Sequence, residues 1–286
     1  MKTIKYFFQF LVILFFFMVF KIIGLKISSY ISSKIISLIG PIFRSKRVVN
    51  TNIRTAMPNL SEDETNRIIN GMWGNYGRIL SEYMFIKRFR ESKLNYNLKI
   101  EGQEFLEEIK NGNEPVIFIS GHFNNFELMA MHIEKSGIDL AAIYRPLNNK
   151  FLNHIMEKIR TKYICKKQIK KGVSGTKDLL SFFKNGTSIA LMIDQRVSQG
   201  IKCNFFNKKA FTTTIPAQFV KKFNCRIVPV YIERINDINF KIKIYKPHRY
   251  SSKDTSETIT LGLNQLLEKM ILKNPDQWIW THNRWK

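Results

Sequence analysis

The chain has 286 residues, of which 44% are hydrophobic and 13% aromatic, a composition that excludes a disordered chain and suffices for one large or two small folded domains. Its 46 Lys and Arg residues against 22 Asp and Glu give a formal net charge of +24. The expected partner is therefore anionic: nucleic acid, anionic lipid headgroups or an acidic protein. Because Cys165, Cys203 and Cys225 show no CxxC spacing, we expect reduced thiols in a cytosol-facing domain.

The first 25 residues predict a membrane anchor. The run Tyr6–Phe20 contains one polar residue, Gln9, is flanked by Lys5 and Lys21, and extends its apolar character to Leu25. A spanning helix needs about 20 apolar residues, and flanking lysines can reach the headgroups. A cleaved signal peptide fits the length, but no A-x-A-like cleavage site follows. A soluble or purely interfacial segment is the third alternative.

The basic residues around this run predict its orientation. Only Lys2 and Lys5 precede it, whereas six basic residues follow it closely: Lys21, Lys26, Lys34, Arg44, Lys46 and Arg47. The positive-inside rule therefore places the body of the protein on the cytoplasmic side. The next stretch, Ile27 to Phe43, alternates apolar residues with Ser and Lys, as expected in a headgroup zone. A basic body at that leaflet faces anionic lipid, which makes nucleic acid the less favoured partner.

Residues 45–92 read as helical. Pro58 closes one stretch, and the capping box Ser61–Glu64 opens the next helix. That helix carries apolar residues at near-helical spacing, which predicts a packing face: Ile68, Ile69, Met72, Trp73, Tyr76 and Ile79.

From about residue 95, strands and helices alternate. The predicted strands are YNLKIEG, PVIFIS, IDLAAIY, TSIALMI, CRIVPVYIE and NFKIKIY. The predicted helices are Gln103 to Lys110, Phe126 to Lys135, Asn148 to Arg160, Gly175 to Lys184, Ile215 to Lys222 and Glu257 to Lys273. Continuous Val/Ile runs indicate strands covered on both faces. We therefore expect an α/β fold with a mixed, mostly parallel central sheet covered by helices and preceded by the anchor. The expected divisions are an anchor over 1–25, a partly interfacial helical segment over 26–92, and the α/β core over 93–286.

The heptapeptide GHFNNFE, Gly121 to Glu127, follows the buried strand PVIFIS directly. On one continuous helix His122 and Glu127 would diverge by about 140°. With His122 in the turn and Glu127 in the first helical turn, the carboxylate can fold back onto the imidazole, and Asn124 or Asn125 can cap the helix. Such a pair can act as a general base. The spacing alone leaves open an incidental loop histidine and an incidental helix glutamate.

Five blocks of this sequence, in order, resemble one family. GHFNNFE is similar to the G-H-x-G-N-W/F-E block of the lipid A late acyltransferases, within the His-x4-Asp/Glu glycerolipid acyltransferase superfamily. The other four resemble the family's later blocks: YRPLNNKFLNHIMEKIR, LMIDQRVSQGIKCNFFNKKAFTTT, IVPVYIER and the terminal NPDQWIWTHNRWK. Two residues depart from the family pattern, since Asn124 and Asn207 stand where glycine is usual. Asn tolerates a positive φ, so both can keep the required turn.

The resemblance implies roles for particular residues. His122 would deprotonate a hydroxyl that attacks the thioester of an acyl carrier protein, and Glu127 would orient His122. Arg145 would grip a phosphate, with a solvated loop arginine as the alternative. Asp194, Gln195 and Asn125 would bind substrate, although turn or capping roles remain open for the Asp194–Gln195 pair. The implied acceptor is a lipid A precursor of the Kdo-lipid A type, at the inner membrane. No cofactor and no metal are expected, because no His/Cys/Asp cluster has ligand spacing.

The other four histidines lie outside the heptapeptide GHFNNFE. His132, His154 and His248 are expected to be packing or surface residues, while His282 can line or brace the site.

The nearest alternative function is acyl transfer to an acceptor other than a lipid A precursor, namely a lysophospholipid or an ornithine- or inositol-type lipid. Further alternatives are acyl transfer to water and a non-enzymatic basic membrane protein, which would leave the five ordered blocks unexplained.

Overall fold

The structure, a computed structural model, describes residues 2–91 and 97–286. The predicted boundary between residues 92 and 93, and the first residue of the strand predicted at YNLKIEG, lie outside the described residues. The N-terminal part is helical, as predicted: α1 Lys2–Ile23, α2 Leu25–Phe43, α3 Lys46–Ala56, α4 Glu62–Glu82, a 3-10 turn Tyr83–Phe85 and α5 Ile86–Glu91.

The first helix, α1, is long and apolar enough to cross a membrane over Thr3–Ile23. Most of its apolar side chains are exposed, including Phe8, Phe15 and Ile22, which suits contact with lipid rather than with a protein core. Gly24, at φ +82°, separates α1 from α2. The helix is thus compatible with the predicted membrane anchor.

The predicted capping box at the start of α4 is confirmed. The Ser61 Oγ accepts a hydrogen bond from the Glu64 backbone N at 3.2 Å, and the Glu64 carboxylate accepts one from the Ser61 backbone N at 2.8 Å. These reciprocal bonds satisfy backbone donors that a helix N-terminus leaves unpaired. The predicted packing face is also observed, since Ile68, Met72 and Trp73 are buried.

The core is a seven-stranded sheet in the described part of the chain, in the order β1-β9-β8-β2-β5-β3-β4, with a separate β6–β7 hairpin. Every neighbouring pair in the large sheet is parallel except β8–β9. The predicted mixed, mostly parallel sheet is therefore confirmed. The strands are β1 Leu98–Glu101, β2 Ile117–Ser120, β3 Leu140–Tyr144, β4 Lys167–Lys170, β5 Ser188–Met192, β6 Ile201–Phe205, β7 Lys208–Thr212, β8 Ile227–Asn236 and β9 Asn239–Ile244.

The six predicted core helices are present, with ends within about two residues of expectation. They are α6 Gln103–Asn111, α7 Glu127–Lys135, α8 Lys150–Ile159, α9 Val173–Lys184, α10 Ile215–Phe223 and α11 Ser256–Lys273, with a π-helical turn Arg160–Ile164 after α8.

All four residues of β2 are buried. Since alternate strand residues point to opposite faces, both faces of the sheet are covered there. Strands β4, β6 and β7 were not predicted, because lysines interrupt the run of apolar residues by which a strand is recognised in a sequence. All three cysteines are buried free thiols.

Helix α2 packs tightly on α4 through small residues. A Cβ added at Gly77 would lie 2.1 Å from the Ser32 carbonyl oxygen, and one at Gly74 would lie 2.8 Å from the Ser33 Oγ. Ser28, Ser29 and Ser32 are buried, whereas much of the apolar side of α2 is exposed. The helix therefore directs its serines inward and apolar residues outward, as expected of a helix at a membrane surface.

We expect Gly77→Ala to destabilise the protein by ~1–3 kcal/mol, because the new methyl group meets backbone that cannot rotate away. The gain in helix propensity, about 1 kcal/mol, does not offset this clash. The matched control is Gly262→Ala in α11, where the nearest atom would be the Tyr250 hydroxyl at 3.6 Å, and a stabilisation of ~0.4–1 kcal/mol is expected. Thermal unfolding in detergent micelles measures both; a Gly77→Ala midpoint at or above wild type would contradict the packing described.

Candidate active site

The site forms where two adjacent parallel strands end. In the register of β2 and β5, Ser120 lies opposite Met192, and the Ile193 backbone N donates to the Ser120 carbonyl at 2.9 Å. Two residues further along each chain, His122 and Asp194 come side by side. Ligand sites of α/β sheets gather at this carboxyl edge.

The Asp194 carboxylate holds His122 in place. Its Oδ1 lies 2.8 Å from the His122 Nδ1, and its Oδ2 accepts from the His122 backbone N and from the Trp278 Nε1, each at 2.8 Å. The Asp194 side chain is fully buried, whereas 21% of the His122 side chain is exposed. The Phe126 ring packs edge-on against the imidazole at 4.9 Å. With a proton on Nδ1 held by the carboxylate, the neutral imidazole keeps its free lone pair on Nε2.

The electrostatics favour a proton on His122. Burial is the largest single influence and lowers the pKa of His122, but the charge and hydrogen bond of Asp194 raise it more, with a smaller contribution from the charge of Glu127. The net effect is a pKa raised above 6.5. For Asp194, burial again opposes ionisation, yet His122 and the other hydrogen-bond donors lower the pKa of the carboxyl to about 2. Asp194 is therefore ionised, and it stabilises the imidazolium.

The expectation that Glu127 folds back onto the imidazole is corrected by the structure. Its Oε1 accepts from the Arg160 Nε at 2.8 Å, the Arg160 Nη2 at 2.6 Å and the Tyr83 hydroxyl at 3.2 Å. The Arg160 side chain is only 12% exposed and so requires a buried counter-charge. Glu127 acts on His122 through its charge, while Asp194 makes the hydrogen bond. A catalytic role for Glu127 stays a prediction.

The loop between β2 and α7 has the backbone expected of it. Asn124 in this loop has φ +46°, and Asn207 in the turn between β6 and β7 has φ +57°, which confirms that both asparagines adopt the conformation that glycine favours. Asn124 also binds the C-terminal tail: its backbone N donates to the Gln277 carbonyl at 2.8 Å, and its Nδ2 donates to the Gln277 Oε1 at 2.6 Å. The predicted asparagine cap is not formed, because Phe126 occupies the N-cap position of α7 without a side-chain bond.

The remaining predicted substrate-binding residues differ in exposure. Asn125 is fully buried and donates to the Glu82 carboxylate at 3.1 Å, so it supports the loop from within. Arg145 follows β3 at the same sheet edge, is exposed, and makes no ion pair with any residue in 2–91 or 97–286. Gln195 is half-buried beside Asp194. An exposed, unpaired guanidinium at this edge is suited to an anionic group.

Sequence reasoning missed Trp278 and Lys171, whereas it singled out His282 as a residue that can line or brace the site. Trp278, from the terminal block, completes the shell of donors around Asp194. His282, from the same block, has a pKa lowered to about 4, chiefly by burial, and lies close enough to feel the charges of Asp194 and His122. The charge of Lys171 also acts on His122 and lowers its pKa. The tail is held to α3 by the Asn52 Nδ2, which donates to the carbonyls of Trp280 and His282.

We expect Asp194→Asn to lower the pKa of His122 below 6.5. The substitution removes the charge that raises this pKa and leaves burial as the dominant influence. Histidine-labelled protein in micelles, titrated by NMR, measures the shift. His132, whose pKa is lowered to about 4 by burial and by Lys135, is the internal control and should titrate as in wild type. An unchanged His122 midpoint would show that Asp194 does not determine it.

The sequence model of the family described as "Bacterial lipid A biosynthesis acyltransferase" matches residues 1–286. The lipid A biosynthesis lauroyltransferase of Escherichia coli K12 is 21% identical over 251 residues, covering 85% of this chain and 79% of that protein. A lipid A biosynthesis acyltransferase of Haemophilus influenzae is 22% identical over 250 residues, covering 85% and 78%.

A second protein of Escherichia coli K12 matches to a similar extent. The lipid A biosynthesis myristoyltransferase of Escherichia coli K12 is 21% identical over 241 residues, covering 82% of this chain and 73% of that protein. Among solved structures, the 1-acyl-sn-glycerophosphate acyltransferase of Thermotoga maritima aligns over 90% of this chain and 100% of that chain, at 14% identity and a TM-score of 0.41, too low to support an argument. The family match covers the whole chain, so the chain belongs to the bacterial lipid A biosynthesis acyltransferase family and is an acyltransferase.

Proposed function

We propose that this enzyme transfers a fatty acyl chain from acyl-acyl carrier protein to a hydroxyl of a lipid A precursor of the Kdo-lipid A type, with His122 as general base. The observation that carries the proposal is the buried Asp194 carboxylate on the Nδ1 of a partly exposed histidine at the sheet edge. The similarity to lipid A biosynthesis lauroyl- and myristoyltransferases supports the choice of acceptor.

The chemistry follows from the two imidazole nitrogens. The acceptor hydroxyl gives its proton to the His122 Nε2 as its oxygen attacks the thioester carbonyl. The tetrahedral intermediate then collapses, the carbon–sulfur bond breaks, and the imidazolium returns the proton to the departing thiolate. Asp194 stabilises the imidazolium throughout. General-base catalysis of this kind contributes roughly 10²–10⁴-fold.

Three other groups have proposed supporting roles. Glu127 adds negative charge near the imidazole, which raises the pKa of His122, and it neutralises the buried Arg160. Arg145 is the proposed phosphate-binding residue, since its exposed guanidinium can bind a phosphate in bidentate fashion. Gln195, next to Asp194, is a proposed substrate contact.

The location and partners are part of the same proposal. Helix α1 would anchor the enzyme in the inner membrane, with the core on the cytoplasmic side as the flanking charges predict. The net charge of +24 suits both anionic headgroups and an acidic carrier protein. The five ordered sequence blocks favour an enzyme over a purely lipid-binding protein.

We expect His122→Ala to reduce acyl transfer to the precursor by roughly 10²–10⁴-fold, because the general base is lost. Glu127→Ala is also expected to abolish most of the transfer. A membrane assay with acyl-acyl carrier protein as donor measures turnover. The control is His132→Ala, because His132 lies in α7 and its imidazole is hydrogen-bonded to Gln103 instead of Asp194. Near-wild-type turnover by His122→Ala would contradict the mechanism.

A loss of activity in Glu127→Ala has two possible causes, because that variant leaves Arg160 buried without a counter-charge, at a cost of about 3–5 kcal/mol. The double variant Glu127→Gln/Arg160→Met removes both charges and should restore stability. If Glu127 contributes to catalysis, activity stays low after stability returns, and the pH profile of turnover shifts down with the pKa of His122. Recovery of both together would limit Glu127 to a structural role.

Mass spectrometry of lipid A tests the acceptor directly. A host lacking its own late acyltransferase should gain one acyl chain on lipid A when it produces wild-type enzyme, and none when it produces His122→Ala. The added mass also gives the chain length. Unchanged lipid A together with altered phospholipids or ornithine-type lipids would show that the acceptor is another membrane lipid.

A further inference from the structure

A cavity of about 600 Å³ lies between α2, α4 and the C-terminal 3-10 turn Pro275–Gln277, apart from His122. Its lining includes three cations, Lys34, Arg78 and Arg234, and the polar residues Ser37 and Asn75. Asp276 is the carboxylate in the lining. None of these residues takes part in the acyl transfer proposed above, so the cavity needs an explanation of its own.

The cations of this cavity have more hydrogen-bond donors than the surrounding protein satisfies. Within residues 2–91 and 97–286, Arg78 donates one hydrogen bond, from Nη1 to the Ser29 Oγ at 3.1 Å, although a guanidinium has five N–H groups. Arg234 pairs with Glu82 at 2.6 Å, yet its Nε is buried without a partner. Burial and the charge of Arg234 both lower the pKa of Arg78. An anion in the cavity would satisfy the free donors of Arg78 and relieve its repulsion with Arg234.

The surface beside the cavity indicates what carries that anion. Leu38 belongs to the lining and is 79% exposed, and the neighbouring Ile35 and Ile42 on α2 are exposed as well. Cationic donors thus stand next to an unpartnered apolar face of α2, the helix that follows the membrane-compatible α1 in the chain. This juxtaposition matches an amphiphile with a phosphate at its head and an acyl chain alongside.

We propose that the cavity between α2, α4 and the tail binds the phosphate of an amphiphilic lipid, with the phosphate at Arg78 and Lys34 and the acyl chain along the exposed face of α2. The phosphate can come from a bilayer phospholipid or from the phosphorylated acceptor. This proposal concerns binding and does not depend on the acyl transfer proposed above.

The walls of the cavity also support the active-site loop. Gln277 holds Asn124 by two hydrogen bonds, and Arg234 holds Glu82, which accepts from Asn125. An occupant would therefore sit against groups that position the loop carrying His122. For the same reason a test should leave Arg234 and Gln277 intact, since changing them would disturb the loop.

The test uses full-length protein in zwitterionic micelles, without acyl donor, titrated with phosphatidic acid. We expect the double variant Lys34→Gln/Arg78→Gln to bind phosphatidic acid more weakly and to raise the apparent Kd at least tenfold, because charge-assisted hydrogen bonds to the phosphate are lost. The matched control is Lys177→Gln/Lys184→Gln on α9, which removes the same charge from exposed positions and should bind as wild type. Asp276→Asn should bind more tightly, because the carboxylate facing the anion is gone.

Titrations with phosphatidylcholine, inorganic phosphate and the lipid A precursor identify the source of the phosphate. Phosphatidylcholine with the same acyl chains should bind more weakly than phosphatidic acid, and inorganic phosphate alone should give only a small shift of the unfolding midpoint. If the cavity variant instead loses affinity selectively for the lipid A precursor, the phosphate is that of the acceptor. Equal affinity of the cavity variant and the α9 control for both phosphatidic acid and the lipid A precursor would overturn the proposal, since the net charge of +24 alone would then explain binding. A full shift by inorganic phosphate would overturn the assignment of an amphiphile.

Discussion

The buried carboxylate of Asp194 is the group on which the site depends. A fully buried carboxylate is costly unless donors and charge surround it. Asp194 obtains them from two distant parts of the chain, the His122 imidazole and backbone N, and the Trp278 indole. The same bonds therefore fix the orientation of the proposed base and attach the C-terminal tail to the carboxyl edge of the sheet. His122, the proposed general base, and the terminal block are therefore parts of one hydrogen-bonded group centred on Asp194.

A second buried carboxylate, Glu82, supports the other side of the loop. It accepts hydrogen bonds from Arg234 on β8, Asn125 of the loop and Ser29 of α2. The N-terminal helices α2 and α4 are thus joined by hydrogen bonds to the loop that carries His122. Such a network is favourable only when its members remain paired. This explains why the loop can keep Asn124 at positive φ between two rigid supports.

The sequence was a good guide wherever a local pattern decides the outcome. The capping box at Ser61, the positive φ at Asn124 and the continuous apolar strand before Gly121 depend on residues within a few positions of one another. His122 and Asp194 were each expected at the end of a strand for the same reason. The hairpin β6–β7 and the strand β4 were missed, since their lysines interrupt the pattern by which a strand is recognised.

By itself, the sequence determined the α/β class, the apolar N-terminal helix, the turn at GHFNNFE and the candidate base. The tertiary structure decided which carboxylate forms the hydrogen bond to that candidate base. Glu127 is nearer in sequence, but its helix turns it toward the buried Arg160. Asp194 is 72 positions away from His122 and becomes its partner because β5 pairs with β2 in the register that places Met192 opposite Ser120. Strand order and register arise from packing across the whole sheet, which no local pattern contains.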